Sequence, residues 1–131
     1  LQVVLLGDLD EKALLEDLSG RLEKGPSFVW AGEPIAKVCA ALKRSDLLLC
    51  NDGGLMHLAH ALGTKTAAIF GPVDEKVYGP YGGSAARRVF TQPVPCRPCY
   101  RDFHFPPCGF DRQCLSGLPA HKVIEAVREI L

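Results

Sequence analysis

Two kinds of apolar pattern alternate along the first two-thirds of the chain. The first kind is a short unbroken run, found at Val3–Leu6, Phe28–Trp30, Leu47–Cys50 and Thr66–Phe70. Such runs are the signature of strands in a parallel sheet, where both faces are covered, and Val3–Leu6 and Leu47–Cys50 are expected to be buried strands. The second kind repeats every three or four residues. Leu14, Leu15, Leu18 and Leu22 predict one helix, opened by the capping-box spacing of Asp8 and Glu11 and ended by Gly25-Pro26. Ile35, Val38, Cys39 and Leu42 predict a second, with Pro34 in its first turn. Leu55, Leu58, Ala59 and Leu62 predict a third, closed by Gly63. The order βαβαβαβ predicts an α/β fold, a Rossmann-like parallel sheet with helices on both faces.

After Phe70 the texture changes. Residues 71–83 are rich in glycine and proline and are expected to be a surface loop, with a short strand at Arg88–Thr91. Residues 93–118 form a Cys/Pro-rich loop with no regular structure expected. From Pro119, Val123, Ile124, Val127, Ile130 and Leu131 recur at helical spacing and predict a C-terminal helix.

The 131 residues are read as a single, partial domain. Fifteen Lys and Arg balance fifteen Asp and Glu, which removes the basic excess expected of a nucleic-acid binder. No apolar run approaches the roughly 18 residues of a membrane span. The chain opens on Leu1 inside a strand pattern, which reads as a piece of a longer protein without a signal peptide.

The chemistry concentrates in Asn51-Asp52-Gly53-Gly54 and His57. A strand ends there and a helix begins, and in open parallel sheets ligands bind at the carboxyl ends of strands. Two glycines admit a ligand close to the backbone, and the helix offers free N–H groups and a positive dipole end to a phosphate. Asp52 suits hydroxyl groups rather than phosphate, and His57, about one turn into the helix, suits an anion. The combination points to a nucleotide sugar. The competing reading makes Asp52 only a helix cap, the glycines only a tight turn and His57 only a structural histidine; His60 is read as structural. Neither a GxGxxG nor a GxxxxGK[ST] motif occurs.

The stretch Asn51-Asp52-Gly53-Gly54-Leu55-Met56-His57-Leu58-Ala59, then Ala61-Leu62-Gly63-Thr64 and Ile69-Phe70-Gly71-Pro72-Val73-Asp74, resembles glycosyltransferase family 9, the ADP-heptose:lipopolysaccharide heptosyltransferases and their relatives. The resemblance implies the C-terminal, donor-binding half of a GT-B fold. It implies a donor site at Asp52, Gly53, Gly54 and His57, with Glu11 an acidic position near the nucleoside and a weaker match at Glu33–Ile35. It implies inverting transfer of a sugar, heptose from ADP-heptose, to a lipid-linked lipopolysaccharide-type acceptor held by an N-terminal domain. That domain would carry the catalytic carboxylate, so no catalytic residue and no metal site are expected here, and this chain alone is expected to be inactive. A cytoplasmic location, peripheral at the inner face of the inner membrane, is implied as well. Gly53 stands where many members have Ser or Thr, and Val73 where Thr is common.

Four of the six cysteines, Cys96, Cys99, Cys108 and Cys114, crowd the proline-rich segment. A structural zinc, one or two disulfides, and free thiols are all open readings, with a structural rather than catalytic role expected. Cys39 and Cys50 are expected to be core thiols. Tyr100, Phe103, Phe105 and Phe110 are expected to cover the segment. Two other functions compete with the transferase: a GT-B nucleotide-sugar epimerase, and a non-enzymatic, zinc-stapled interaction module.

Overall fold

The structure, a computed structural model, describes residues 1–23, 25–82 and 86–131. The chain forms two compact units, Leu1–Val38 and Cys39–Leu131.

In the first unit, strand β1 (Val3–Gly7) pairs in parallel with β2 (Ser27–Ala31), in a register running from Val3↔Ser27 to Gly7↔Ala31. Parallel neighbours need a crossover, supplied by a 3₁₀ turn (Leu9–Glu11) and helix α1 (Lys12–Gly20). The Asp8 amide donates to the Glu11 carboxylate at 2.9 Å, the glutamate half of the expected capping box. The helix stops at Gly20, short of the expected Gly25-Pro26. Its expected leucine stripe is largely uncovered: Leu15 is buried, whereas Leu14, Leu18 and Leu22 are exposed. Strand β1 is half-buried, with Val4 exposed, instead of the buried strand expected from its apolar run.

Helix α2 (Ile35–Arg44) spans the boundary between the units. Val38 and Leu42 are buried and Cys39 half-buried, but Ile35 is exposed.

The second unit is built on a parallel three-stranded sheet in the order β3 (Leu47–Asn51), β4 (Lys65–Phe70), β5 (Arg87–Thr91). Helix α3 (Gly54–Ala61) carries the chain from β3 to β4. Gly63 closes it at φ +82°, a left-handed conformation that glycine adopts without steric cost. Its amide donates to the His60 carbonyl at 3.1 Å, and Thr64 donates to Ala59 at 2.9 Å. Strand β4 is flanked on both sides, so Thr66, Ala67, Ala68 and Phe70 are fully buried. Met56, Ala68, Phe70 and Val73 form the core cluster, with Cys50 and Tyr100 packed against it. The double-sided burial expected for Leu47–Cys50 fails at the sheet's edge, where Leu49 is 51% exposed.

Two short helices interrupt segments expected to be irregular. Helix α4 (Glu75–Tyr78) lies in the glycine-rich loop, capped by Asp74, whose carboxylate accepts from the Lys76 amide at 2.9 Å. Helix α5 (Gln113–Ser116) lies in the Cys/Pro-rich segment and buries Cys114. Helix α6 (Ala120–Ile130) is the expected C-terminal helix; it buries Val123 and is tied down where Lys65 Nζ donates to the Ile130 carbonyl at 2.6 Å. A cation at a helix C-terminus also complements the dipole.

Phe70 is the largest fully buried side chain. Phe70→Ala should lower unfolding free energy by about 3–5 kcal/mol in urea titration. A loss below about 1 kcal/mol would place the core of this unit elsewhere.

Candidate functional site

The turn after β3 is set by the sheet. The Asp52 amide donates to the Ile69 carbonyl at 3.0 Å, continuing the β3–β4 ladder one residue beyond the strand. Asp52 is thereby held at the carboxyl end of β3, half-buried. Gly53 then turns the chain, and α3 begins at Gly54.

Neither glycine is demanded by the fold. Gly53 has φ 161°, extended backbone open to any residue, and Gly54 is helical. A Cβ added at either would meet nothing within 4 Å. The space in front of the helix start is therefore open, and both residues are exposed. The first turn of a helix leaves amides without intrahelical acceptors and carries the positive end of the dipole. An anion can approach the backbone here without displacing any side chain.

His57 is exposed on α3, near enough to act on the Asp52 carboxyl. Burial pushes the Asp52 carboxyl above its ordinary value, and His57 opposes that push. Burial, with Asp52 adding to it, pushes the Cys50 thiol up to about 11, so Cys50 stays a neutral thiol beneath the turn. Cys50 packs as the core residue expected from its strand.

Asp52, Gly53, Gly54 and His57 thus form one continuous feature of the second unit. Glu11 belongs to the first unit, exposed, with its carboxylate engaged by the Asp8 amide. Gly7 makes room for it: a Cβ there would lie 2.6 Å from Glu11 Oε2. Glu33 pairs with Lys37 at 2.7 Å, and Lys37 Nζ sits 4.3 Å from the centre of the Trp30 ring, also in the first unit. His60 is buried, as a structural histidine should be, with Nε2 bonded to the Gly82 carbonyl.

Two features of the site region escaped sequence reasoning. Tyr81 stacks on His57, their ring centres 6.2 Å apart and their planes 12° from parallel. Arg97, inside Cys96-Arg97-Pro98-Cys99, fastens the Cys/Pro-rich segment onto the turn after β4. Its guanidinium donates to the Gly71 carbonyl, to the Val73 carbonyl at 2.9 Å and to Glu75 at 2.9 Å. The amides of Cys99 and Tyr100 add bonds of 3.0 and 3.2 Å to the Pro72 carbonyl. A basic residue between two cysteines was the available signal, but nothing in its spacing named its acceptors.

All six cysteines are free thiols. Burial pushes the Cys114 thiol up, with Cys96, Cys99 and Cys108 near enough to add to the effect. Cys108 is shifted down by amide donors from Phe110 and Arg112, the latter at 3.3 Å. Among the described residues, no group of three or more His, Cys, Asp or Glu side chains is placed to hold a metal ion. Of the aromatics expected to cover the segment, Tyr100 packs against the core cluster and pairs with Phe105, their ring centres 4.4 Å apart, whereas Phe103, Phe105 and Phe110 are all exposed. Among the described residues, no helix is long and apolar enough to cross a membrane.

Parallel strands feeding a helix whose N-terminus is open to an anion define a Rossmann-like α/β domain. The sequence profile of glycosyltransferase family 9 (heptosyltransferase) matches residues 1–104, and the chain belongs to that family. It is 32% identical over 98 residues to lipooligosaccharide heptosyltransferase 2 of Campylobacter jejuni subsp. jejuni serotype O:2, a match covering 74% of this chain and 29% of that protein. It is 30% identical over 97 residues to the protein of the same name from serotype O:6, covering 73% of this chain and 29% of the relative. The chain therefore spans under a third of the length of these curated relatives. The crystal structure of the glycosyl transferase family 9 from Veillonella parvula DSM 2008 is similar in fold, with a TM-score of 0.71 and 23% identity, covering 97% of this chain and 35% of that one.

The raised carboxyl of Asp52 makes a pH prediction. A carboxyl whose pKa is higher folded than unfolded holds its proton more tightly in the folded state. Its contribution to stability is present at low pH and is lost as pH rises through the folded value. Asp52→Asn carries no such charge, so this variant should melt above the parent at pH 7, by a margin that shrinks towards zero below about pH 4, the usual carboxylate range. Equal melting temperatures across pH 3–8 would contradict the burial of this carboxyl.

Proposed function

We propose that this chain is the donor-binding part of a family 9 glycosyltransferase. The observation that carries the reading is the open, glycine-lined start of α3 beside the half-buried Asp52 and exposed His57. In this reading the donor diphosphate sits against the free amides of the first turn, and the Asp52 carboxylate accepts hydrogen bonds from sugar hydroxyls. His57 faces the diphosphate. The names of the Campylobacter relatives favour a heptose as the sugar and a lipooligosaccharide as the acceptor. ADP-heptose as donor, inversion at the anomeric carbon and a lipid-linked acceptor at the inner face of the membrane are finer parts of the same proposal. The family membership favours a transferase over the epimerase and the interaction module.

Transfer requires a base at the acceptor hydroxyl and stabilisation of the departing diphosphate. The residues described here supply the second requirement. A helix N-terminus contributes roughly 0.3–1 kcal/mol to a nearby anion, and up to about 2 kcal/mol when partly buried. The base and the acceptor contacts are assigned to an N-terminal domain, so this chain alone is inactive in the proposal. The role proposed for Cys96, Cys99, Cys108 and Cys114 is structural.

The test uses the openness of the turn. Gly54→Val should leave the melting temperature within a few degrees, because a Cβ at this position has open space around it. It should weaken nucleoside diphosphate binding at least tenfold in calorimetry of the intact protein. Unchanged affinity in a folded Gly54→Val protein would remove the diphosphate from this turn.

A further inference from the structure

The loop Gly79-Pro80-Tyr81-Gly82 follows α4 and is fastened by three hydrogen bonds to two of its carbonyls. Arg87 Nη1 donates to the Pro80 carbonyl at 3.0 Å and to the Gly82 carbonyl at 3.1 Å. The buried imidazole of His60 bonds the same Gly82 carbonyl. The backbone suits this arrangement. Gly82 has φ +58°, a left-handed conformation that favours glycine, and a Cβ at the buried Gly79 would collide with the Glu75 carbonyl.

These restraints deliver one exposed side chain. Tyr81 is 66% exposed, yet its ring lies nearly parallel to that of His57. A stacked pair of this kind buries too little surface to hold the unit together, whose core is Met56, Ala68, Phe70 and Val73. His60 is three positions beyond His57 on the same helix, so α3 carries both the imidazole and the anchor of the loop that meets it. Tyr81 also borders a groove of about 320 Å³ shared with Lys76, Arg87 and Val89.

We infer that Tyr81 is a positioning residue of the donor site: its ring holds the His57 imidazole beside the Asp52–Gly54 turn, and the His60–Gly82–Arg87 clamp holds Tyr81. This rests on the proposed donor site. An exposed histidine samples several rotamers, and one already stacked has less freedom to lose when a diphosphate binds. The phenol hydroxyl is not required for stacking, whereas the aromatic ring is.

The experiment is a double-mutant cycle in the intact protein, read by calorimetry with whichever of ADP, UDP, GDP or dTDP binds most tightly. Tyr81→Ala should weaken binding about three- to tenfold, the worth of one aromatic pair. Tyr81→Phe should bind within twofold of the parent. In a His57→Ala background, Tyr81→Ala should cost nothing further. Melting curves for each variant keep a folding defect apart from a binding defect. Full additivity of the two substitutions, or unchanged affinity of a folded Tyr81→Ala protein while His57→Ala weakens binding, would overturn the inference and leave the donor site standing. If His57→Ala itself leaves affinity unchanged, the proposed donor site fails, and the role of Tyr81 with it.

Discussion

The hydrogen bond from the Asp52 amide to the Ile69 carbonyl is the constraint on which the candidate site depends. Two parallel neighbouring strands cannot be joined by a tight turn, so β3 and β4 require a crossover. Helix α3 is that crossover, and it must start where β3 ends. By extending the ladder one residue past β3, the bond ties the start of α3 to the buried central strand. A carboxylate, two residues without side chains and a histidine one turn on are therefore presented together at the carboxyl end of the sheet. The same strand, β4, supplies the fully buried Ala68 and Phe70 against which Met56 of α3 packs. The helix is thus oriented by the core as well as by the ladder.

Much of this was legible in the residue order. Four strands appear as apolar runs because parallel strands have little room for alternation, and the four longer helices, α1, α2, α3 and α6, appear as periodic stripes. Gly63 announced the end of α3 because a left-handed residue was needed there. Burial was less legible than element type. The leucines of α1 have helical spacing, but spacing says nothing about whether a neighbour exists to cover them, and three of the four are exposed. Helices α4 and α5 were invisible because four-residue helices complete too little of a period to leave a pattern. Tyr81 and Arg97 were missed for a different reason: each works through partners more than twenty positions away, a relation fixed by the fold and not by local spacing.

The site also shows a tension between stability and binding. Asp52 is partly removed from water, which works against its ionised form, and His57 compensates only in part. A solvated carboxylate would be more favourable for the fold but would be less able to select among hydroxyl-bearing ligands. Two glycines at a helix start give up conformational entropy without relieving any crowding. In the proposed donor site these residues meet the ligand at the carboxyl end of a parallel sheet, at a cost to folding. The Cys/Pro-rich segment plays a supporting part. Through Arg97 it grips the carbonyls of Gly71 and Val73, the turn that follows β4, so the strand that fixes Asp52 is itself held at its end.

The claim that a donor diphosphate docks on the first turn of α3 is tested most directly by following backbone amide resonances of the intact, isotope-labelled protein during titration with a nucleoside diphosphate. The account predicts that the amides of Gly53, Gly54 and Leu55 shift most, in a saturable manner, and that they move together with the His57 ring protons. Saturable binding whose largest shifts fall elsewhere, with these amides unmoved, would contradict it.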